Sequence, residues 1–197
     1  MSNNQKSSKR GGIYWTPEKA YISVTEILKV IDKPNLRYWF GKEVYLAMVK
    51  DPSMSQQAAL AAPYKKTEAA MSRGTTVHSI VESYKKIGEK IEVAEEFDGY
   101  TKAFYKWVED ENPSILVQER TIYSNTHGYA GTLDMLAAIN HSELPYVIDV
   151  KTGKDIYPES FLQTAAYQQC LTEEGTETMG VGTLLIMENG DYKWQIS

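Results

Sequence analysis

The chain has 197 residues, 42% hydrophobic and 24% charged, enough for one globular domain with an added lobe. It has no apolar run of the roughly 20 residues that a membrane-spanning helix needs, and its single cysteine, Cys170, excludes an internal disulfide and a four-cysteine iron–sulfur or zinc site. The net charge of -5 divides into +6 over residues 1–66 and -11 over residues 67–197, which is typical either of a protein that attracts phosphate with one part and cations with the other, or of an uneven surface.

The first third of the chain is predicted to be a tail followed by helices. Residues 1–12 are polar and lack the apolar segment of a signal peptide, so we expect a flexible tail on a cytoplasmic protein. The stretch SVTEILKVI starts with the capping residues Ser23 and Thr25 and predicts a helix that breaks at Pro34. NLRYWFGKEVYLAMVK has apolar residues at helical spacing and predicts a second helix, in which Tyr38, Trp39 and Phe40 are expected to be mostly core. Residues 51–66 are expected to be a connector, with room for a short helix between turns.

From residue 67 onward, two helices are followed by strands. An apolar stripe predicts a long helix over 67–87, and a second helix at about 95–110 ends before Asn112-Pro113. The hydrophobic period then changes from about 3.6 to about 2. This predicts strands at about 115–123, 129–139 and 145–151. A helix after Pro158, a strand over GVGTLLIM and a hairpin turn at ENG complete the chain.

This order predicts an α/β fold with a central mixed β-sheet flanked by helices. We expect three parts: a flexible tail at 1–12, a basic N-terminal helical part at 13–66, and the main domain at 67–197.

The stretch YVIDVK places an acid and a base within a predicted strand. Alternate residues of a strand face the same way, so Asp149 and Lys151 project together, while Ile148 and Val150 point to the opposite, apolar side. If the strand that contains Asp134 pairs with this one, two carboxylates converge. They would repel each other unless a cation binds them, and oxygen ligands favour Mg²⁺ or Mn²⁺.

A site of this kind predicts phosphodiester hydrolysis. A hard cation binds phosphate oxygens and lowers the pKa of a bound water, and Lys151 would orient or deprotonate the attacking water or offset charge at the phosphorus. Taken alone, Asp149 and Lys151 would more often form a simple ion pair at a sheet edge.

Four further residues match such a site. Glu119, in LVQERTIY, is an acid in a predicted strand and is expected to share a face with Val117. His78 lies at the edge of its helix's apolar stripe, from which it could point into the cleft of the sheet. Gln163 and Tyr167 are spaced i and i+4, so they form one patch on the helix after the Asp-x-Lys strand.

Together these motifs resemble those of a nuclease family. GTTVH, GTLD, IDVK and QTAAY look like the His, G-x-x-D, D-x-K and Q-x-x-x-Y motifs, in order, of the RecB-like branch of the PD-(D/E)XK nucleases. SVTEILKVIDKPNLRYWFGK is similar to the N-terminal helical part of phage and prophage exonucleases of this branch and of the related mitochondrial genome-maintenance exonuclease. The resemblance covers about residues 20–187 and implies a restriction-endonuclease-like core, a phage or prophage source and a location in the bacterial cytoplasm.

The resemblance also implies the ligands of the metal. Asp134 and Asp149 would bind it together with His78 and the main-chain carbonyl of Val150, and Glu119 would bind a second ion or hold a water. One or two Mg²⁺ or Mn²⁺ ions are expected. The subgroup with an iron–sulfur cluster is disfavoured, because it requires four cysteines.

For catalysis, the resemblance implies that Lys151 is the catalytic lysine and that Gln163 and Tyr167 steady it or contact the substrate backbone. Weaker candidates for contacts to DNA phosphates are Ser23, Thr25, Arg37, Lys42, Arg73 and Lys154.

We therefore expect a metal-dependent deoxyribonuclease, most simply an exonuclease acting at the ends of linear single-stranded or duplex DNA. A structure-selective or sequence-specific endonuclease of the same fold and a non-catalytic DNA-binding module are the alternatives. A second copy of the chain or a phage recombination protein is a further candidate partner, and no membrane is expected to be one.

Overall fold

The computed structural model describes residues 8–87 and 93–197. The strands are β1 (Ser8–Arg10), β2 (Ile13–Trp15), β3 (Ala20–Ser23), β4 (Ser114–Ser124), β5 (Tyr129–Ala138), β6 (Tyr146–Lys151), β7 (Gly180–Ile186) and β8 (Tyr192–Ile196). The helices are α1 (Val24–Ile27), α2 (Pro34–Lys50), α3 (Gln56–Ile87), α4 (Asp98–Glu111) and α5 (Pro158–Glu173).

The chain divides into two compact units. One consists of the described residues of Met1–Val30 and Val77–Ser197, and the other of Ile31–Thr76. Because the boundary falls within α3, that helix contributes its first part to the smaller unit and its last turns to the larger one.

The larger unit is built on one mixed sheet. Its strands follow the order β1-β2-β3-β5-β6-β7-β8, and β4 pairs with β5. The pairs β3–β5 and β6–β7 are parallel, whereas the other pairs are antiparallel. The predicted strands at 115–123, 129–139 and 145–151 correspond to β4, β5 and β6. The prediction of an α/β fold with a mixed sheet flanked by helices is confirmed.

One edge of β5 is shared by two other strands. β3 pairs with Tyr129 and Ala130, and β6 pairs with β5 from Met135 onward. Since β3 runs parallel to β5 and β6 runs antiparallel to it, the carboxyl ends of both strands point toward the interval 131–134. This interval has no partner on that edge among the described strands, and Asp134 lies in it.

Helices cover both faces of the sheet with separate buried clusters. Ile148 and Val150 pack with Val77 and Phe104 in the cluster under the last turns of α3 and under α4. Val147 packs in the other cluster, with residues of α1 and α5. The predicted alternation along β6 is therefore confirmed. Full burial of one such apolar side chain contributes roughly 2 kcal/mol to folding.

The predictions for the N-terminal residues were partly wrong. Residues 8–10 form β1, not a flexible tail, and residues 13–15 and 20–23 form strands, not part of a helical segment. Gly11 and Gly12, with φ of 58° and 77°, make the two-residue turn between β1 and β2. Two consecutive positive φ values are typical of tight hairpin turns, so the Gly-Gly pair was the overlooked signal.

The smaller unit differs from expectation in its long helix. Residues 51–66 were expected to be a connector, but α3 begins at Gln56 and continues through Pro63. The boundary predicted at residue 67 falls inside this helix. The mixture of Pro, Ser, Gln and Ala in this stretch was taken as the sign of a connector. Thr67 Oγ1 donates a hydrogen bond to the Pro63 carbonyl, 3.0 Å away, within the continuous helix.

Helix α2 also differs from expectation, because its aromatic residues were expected to be mostly core. None of its residues is buried, and the side chain of Tyr38 is 76% exposed. Phe40 makes an edge-to-face contact with Tyr64, with ring centroids 4.9 Å apart.

Within residues 8–87 and 93–197, no helix combines the length and the apolar character required to cross a membrane.

Candidate active site

The predicted site residues of the larger unit converge where β3 and β6 end. Asp134 lies in the unpaired interval of β5, and Asp149 and Lys151 lie at the carboxyl end of β6. His78 comes from the last part of α3, and Glu119 lies in the middle of β4. Distant parts of the chain therefore supply this one cluster.

His78, Glu119 and Asp134 form a set of groups that could hold a metal ion. His78 Nδ1 lies 3.7 Å from Asp134 Oδ1 and 3.8 Å from Glu119 Oε1. One ligand atom from each residue lies within 4.8 Å of the other two. Two carboxylates and an imidazole at these separations have the donor chemistry that suits a divalent cation.

Glu119 reaches this set because the backbone of β4 is irregular. Its φ is 48°, in the left-handed region that non-glycine residues rarely adopt within a strand. Gln118 also faces α3, where its Nε2 donates a hydrogen bond of 3.0 Å to the carbonyl of Val81. Val117 packs on the opposite face. The expectation that Glu119 and Val117 share a face was therefore wrong, because the positive φ interrupts the pleat.

The alternation of side chains between the two faces of β5 is interrupted at Asp134, close to Glu119. Leu133 and Leu136 both belong to the cluster that faces α5, whereas Met135 packs in the cluster under α3 and α4. Strict alternation would place Leu133 and Met135 together. The irregularity lies at Asp134, whose carboxylate approaches His78 of α3.

Asp149 is held by Lys151 and Gln163. It is 1% exposed; Lys151 Nζ donates to Asp149 Oδ1 at 2.9 Å and lies 2.8 Å from Oδ2. Gln163 Nε2 donates to Asp149 Oδ1 and to the hydroxyl oxygen of Tyr167, both at 3.0 Å. The carboxylate thus faces the lysine, while Asp134 Oδ2 accepts a 2.7 Å hydrogen bond from the N–H of Val150.

The close approach of Tyr167 explains why the G-x-x-D stretch has a glycine at position 131. The ring of Tyr167 packs so closely over Gly131 that a Cβ atom there would overlap the Cε1 atom of the ring. The missing side chain allows Tyr167 to approach β5, which in turn places Gln163 beside Asp149. Sequence reasoning assigned no such role to Gly131.

The electrostatics of the cluster favour added positive charge. Burial and the nearby Asp149 carboxylate raise the pKa of Asp134 to about 7, against the effect of His78. Burial also raises the pKa of Asp149, although Lys151 opposes this. Burial would lower the pKa of His78, but the nearby carboxylates of Glu119, Asp134 and Asp149 outweigh that effect and raise it. Ionised carboxylates here are costly without a cation.

Tyr14 of β2 brings the N-terminal strands close to this region. Its hydroxyl lies 3.1 Å from Thr132 Oγ1, and Thr132 precedes Asp134 by two residues in β5. Lys9 Nζ lies 5.0 Å from the centroid of the Tyr14 ring. An exposed cation of β1 therefore lies beside the tyrosine that contacts Thr132, a placement that the expectation of a flexible tail did not include.

The predicted DNA contacts do not all join the site. Ser23 is 1% exposed, and its hydroxyl lies 2.7 Å from that of Thr25, so this conformation does not offer Ser23 to a phosphate. Lys154 and Thr25 are exposed residues of the larger unit. The other predicted contacts, Arg37, Lys42 and Arg73, are exposed and belong to the smaller unit. Arg37 donates a 2.9 Å hydrogen bond to Asp32.

No family model and no curated protein matched this sequence in the comparisons. The assignment to the PD-(D/E)XK nucleases therefore stays a prediction from the motifs and their order.

Proposed function

We propose that the protein is a metal-dependent deoxyribonuclease of the PD-(D/E)XK type, with a restriction-endonuclease-like core, that acts as an exonuclease at DNA ends. The observation that carries the proposal is the ion pair between buried Asp149 and partly exposed Lys151. This pair lies beside the group formed by His78, Glu119 and Asp134. An ordinary ion pair at a sheet edge would be exposed, whereas Asp149 is 1% exposed and lies next to a second carboxylate.

The residues of the site fit a hard divalent cation. Asp134, Glu119 and His78 would hold it, and Asp149 would join them when its carboxylate is released by Lys151. The carbonyl of Val150 remains a proposed ligand. A bound Mg²⁺ or Mn²⁺ would supply Lewis-acid activation of the phosphate and of the attacking water.

Lys151 is the residue that we assign to the reacting atoms. Its side chain is 34% exposed, so the ammonium group can reach a substrate from its position beside Asp149. There it would orient the water that attacks the phosphorus, or neutralise charge as the phosphorus–oxygen bond to the leaving group breaks. Gln163 and Tyr167 would keep Asp149 and Lys151 aligned; burial raises the pKa of Tyr167, so its phenol stays protonated.

The experiment compares cleavage of end-labelled linear single strands, linear duplexes and closed circles in Mg²⁺, Mn²⁺ or EDTA. We expect metal-dependent release of nucleotides from linear DNA only. Lys151→Ala should abolish it, whereas Lys106→Ala is a matched control: Lys106 also lies 2.9 Å from a carboxylate, that of Asp191, but in an exposed pair.

Each result of this cleavage experiment would support or refute one candidate function. Cleavage in EDTA, or cleavage undiminished by Lys151→Ala, would refute the chemistry. Cleavage of closed circles would instead identify an endonuclease of the same chemistry. Metal-dependent binding of DNA without any cleavage would indicate a non-catalytic binding module. A cytoplasmic location and a phage or prophage source remain part of the proposal.

A further inference from the structure

Two buried polar atoms on neighbouring strands lack hydrogen-bond partners. Thr183 of β7 is fully buried, and its Oγ1 has no partner in the part of the chain that the structure describes. Asp149 Oδ2 likewise accepts no hydrogen bond from any described residue, although Lys151 Nζ lies 2.8 Å away as an ion-pair partner. Buried polar groups are rarely left unpaired, so the two atoms call for a common explanation.

The two residues lie side by side on one face of the sheet. Thr183 is the register partner of Asp149 in the parallel pair β6–β7. Val181 packs in the cluster that faces α5, while Leu184 packs in the opposite cluster, so alternation places Thr183 on the α5 face. Gln163 of α5 contacts Asp149 on the same face. Neighbouring strands are about 4.8 Å apart, within reach of a short hydroxyl side chain.

Thr183 lies in a fully buried strand, between Asp149 of β6 and Gln195 of β8. The strand GVGTLLI is buried along its whole length, and valine would have nearly the same shape as threonine without an unpaired hydroxyl. A hydroxyl at this position is therefore unfavourable unless it has a partner in some state of the site. Of its two register partners among the described strands, Asp149 and Gln195, Asp149 is the one that carries a carboxylate.

We propose that Thr183 is a positioning residue for Asp149, a role that rests on the proposed nuclease function. When Lys151 turns toward the substrate, Asp149 loses the ammonium group that lies near both of its oxygens. Gln163 still donates to Oδ1, and the Thr183 hydroxyl then donates to Oδ2. The carboxylate keeps the orientation in which it can bind the metal.

The test uses Thr183→Val and Thr183→Ser, with Thr101→Val as the control. Thr101 is also buried, but its hydroxyl already donates a 3.0 Å hydrogen bond to the carbonyl of Phe97 in α4. Three quantities are measured for each full-length variant: the melting temperature in EDTA, the Kd for Ca²⁺ by calorimetry, and kcat and KM for linear DNA with Mg²⁺.

We expect Thr183→Val to retain or raise the melting temperature, because it removes an unpaired hydroxyl. Its kcat should fall about tenfold at nearly unchanged KM, and its Kd for Ca²⁺ should rise several-fold, because a hydrogen bond to a charged group is lost. Thr183→Ser should restore kcat and Kd. Thr101→Val should lower only the melting temperature.

A Thr183→Val variant with the Kd and kcat of the parent protein would overturn the role, as would a Thr183→Ser variant no better than Thr183→Val. If the parent protein binds Ca²⁺ but cleaves no DNA, the nuclease function fails, and the Kd series alone decides whether Thr183 acts on Asp149. If it neither binds Ca²⁺ nor cleaves DNA, both proposals fall.

Discussion

Substitution of Asp134 by Asn tests whether the acidic cluster is arranged for a cation. The carboxylate is 13% exposed, and its pKa of about 7 lies well above the ordinary 3.8. Asn keeps an oxygen that can accept the N–H of Val150, so the local hydrogen bond survives. The substitution therefore removes the charge and leaves the packing nearly unchanged.

The sign of the effect follows from proton binding. Between about pH 4 and pH 7 the folded protein keeps a proton on Asp134 that the unfolded chain releases, so stability falls as pH rises through this window. The raised pKa values of Asp149 and His78 act in the same direction. A difference of roughly 3 pKa units corresponds to about 4 kcal/mol as an upper limit. Because Asp134, Asp149 and His78 interact and do not titrate independently, we expect the raised pKa of Asp134 to lower the free energy of unfolding by about 2 kcal/mol at pH 8.

Thermal unfolding in EDTA from pH 5 to pH 8 provides the assay. The parent protein should lose stability as the pH rises, and Asp134→Asn should melt about 4 to 8 °C higher than the parent at pH 8. Added Ca²⁺ should stabilise the parent most at pH 8 and the variant little. Asp191→Asn, in an exposed pair with Lys106, should show neither effect. A parent protein that gains stability with rising pH, or a variant that melts lower at pH 8, would refute the reasoning.

Three further predictions concern the surroundings of the cluster. Gly131→Ala should cost about 1 to 3 kcal/mol of stability and lower kcat, since the added methyl group displaces the Tyr167 ring; unchanged melting and kcat would contradict the proposed packing. Glu119→Gly should remove the energetic cost of the left-handed φ at this position, so the metal-free variant should be as stable as the parent or up to about 1 kcal/mol more stable. Glu119→Gln keeps that cost, and both variants should bind Ca²⁺ more weakly in calorimetry. Lys9→Ala, which removes an exposed cation 5.0 Å from the centroid of the Tyr14 ring, should lower the slope of log Kd for DNA against log salt by about 1, and an unchanged slope would exclude a phosphate contact at Lys9.

Local sequence pattern was sufficient to predict three strands of the sheet. The change of hydrophobic period after Pro113 predicted β4, β5 and β6 within one or two residues. Alternation placed Asp149 and Lys151 together, opposite Ile148 and Val150. These predictions succeeded because they depend on the period of a strand, which the sequence carries directly.

Other features have no comparable local signal. The strands at residues 8–23 are three or four residues long, too short for a period to stand out, and they are stabilised by pairing with each other and with β5. The start of the helix through Pro63 was missed because residues 51–66 mix Pro, Ser, Gln and Ala, a composition that is also typical of a connector.

The sequence by itself determined which residue types could bind a cation and their order along the chain. Only the tertiary structure decided that His78, Glu119 and Asp134 form one group, because this depends on a positive φ at Glu119 and on two strands that end at the same point of β5. Likewise, Gly131 and Thr183 acquire their roles only through neighbours 36 and 34 residues away, Tyr167 and Asp149. Contacts between distant segments depend on packing and register, which a local pattern does not specify.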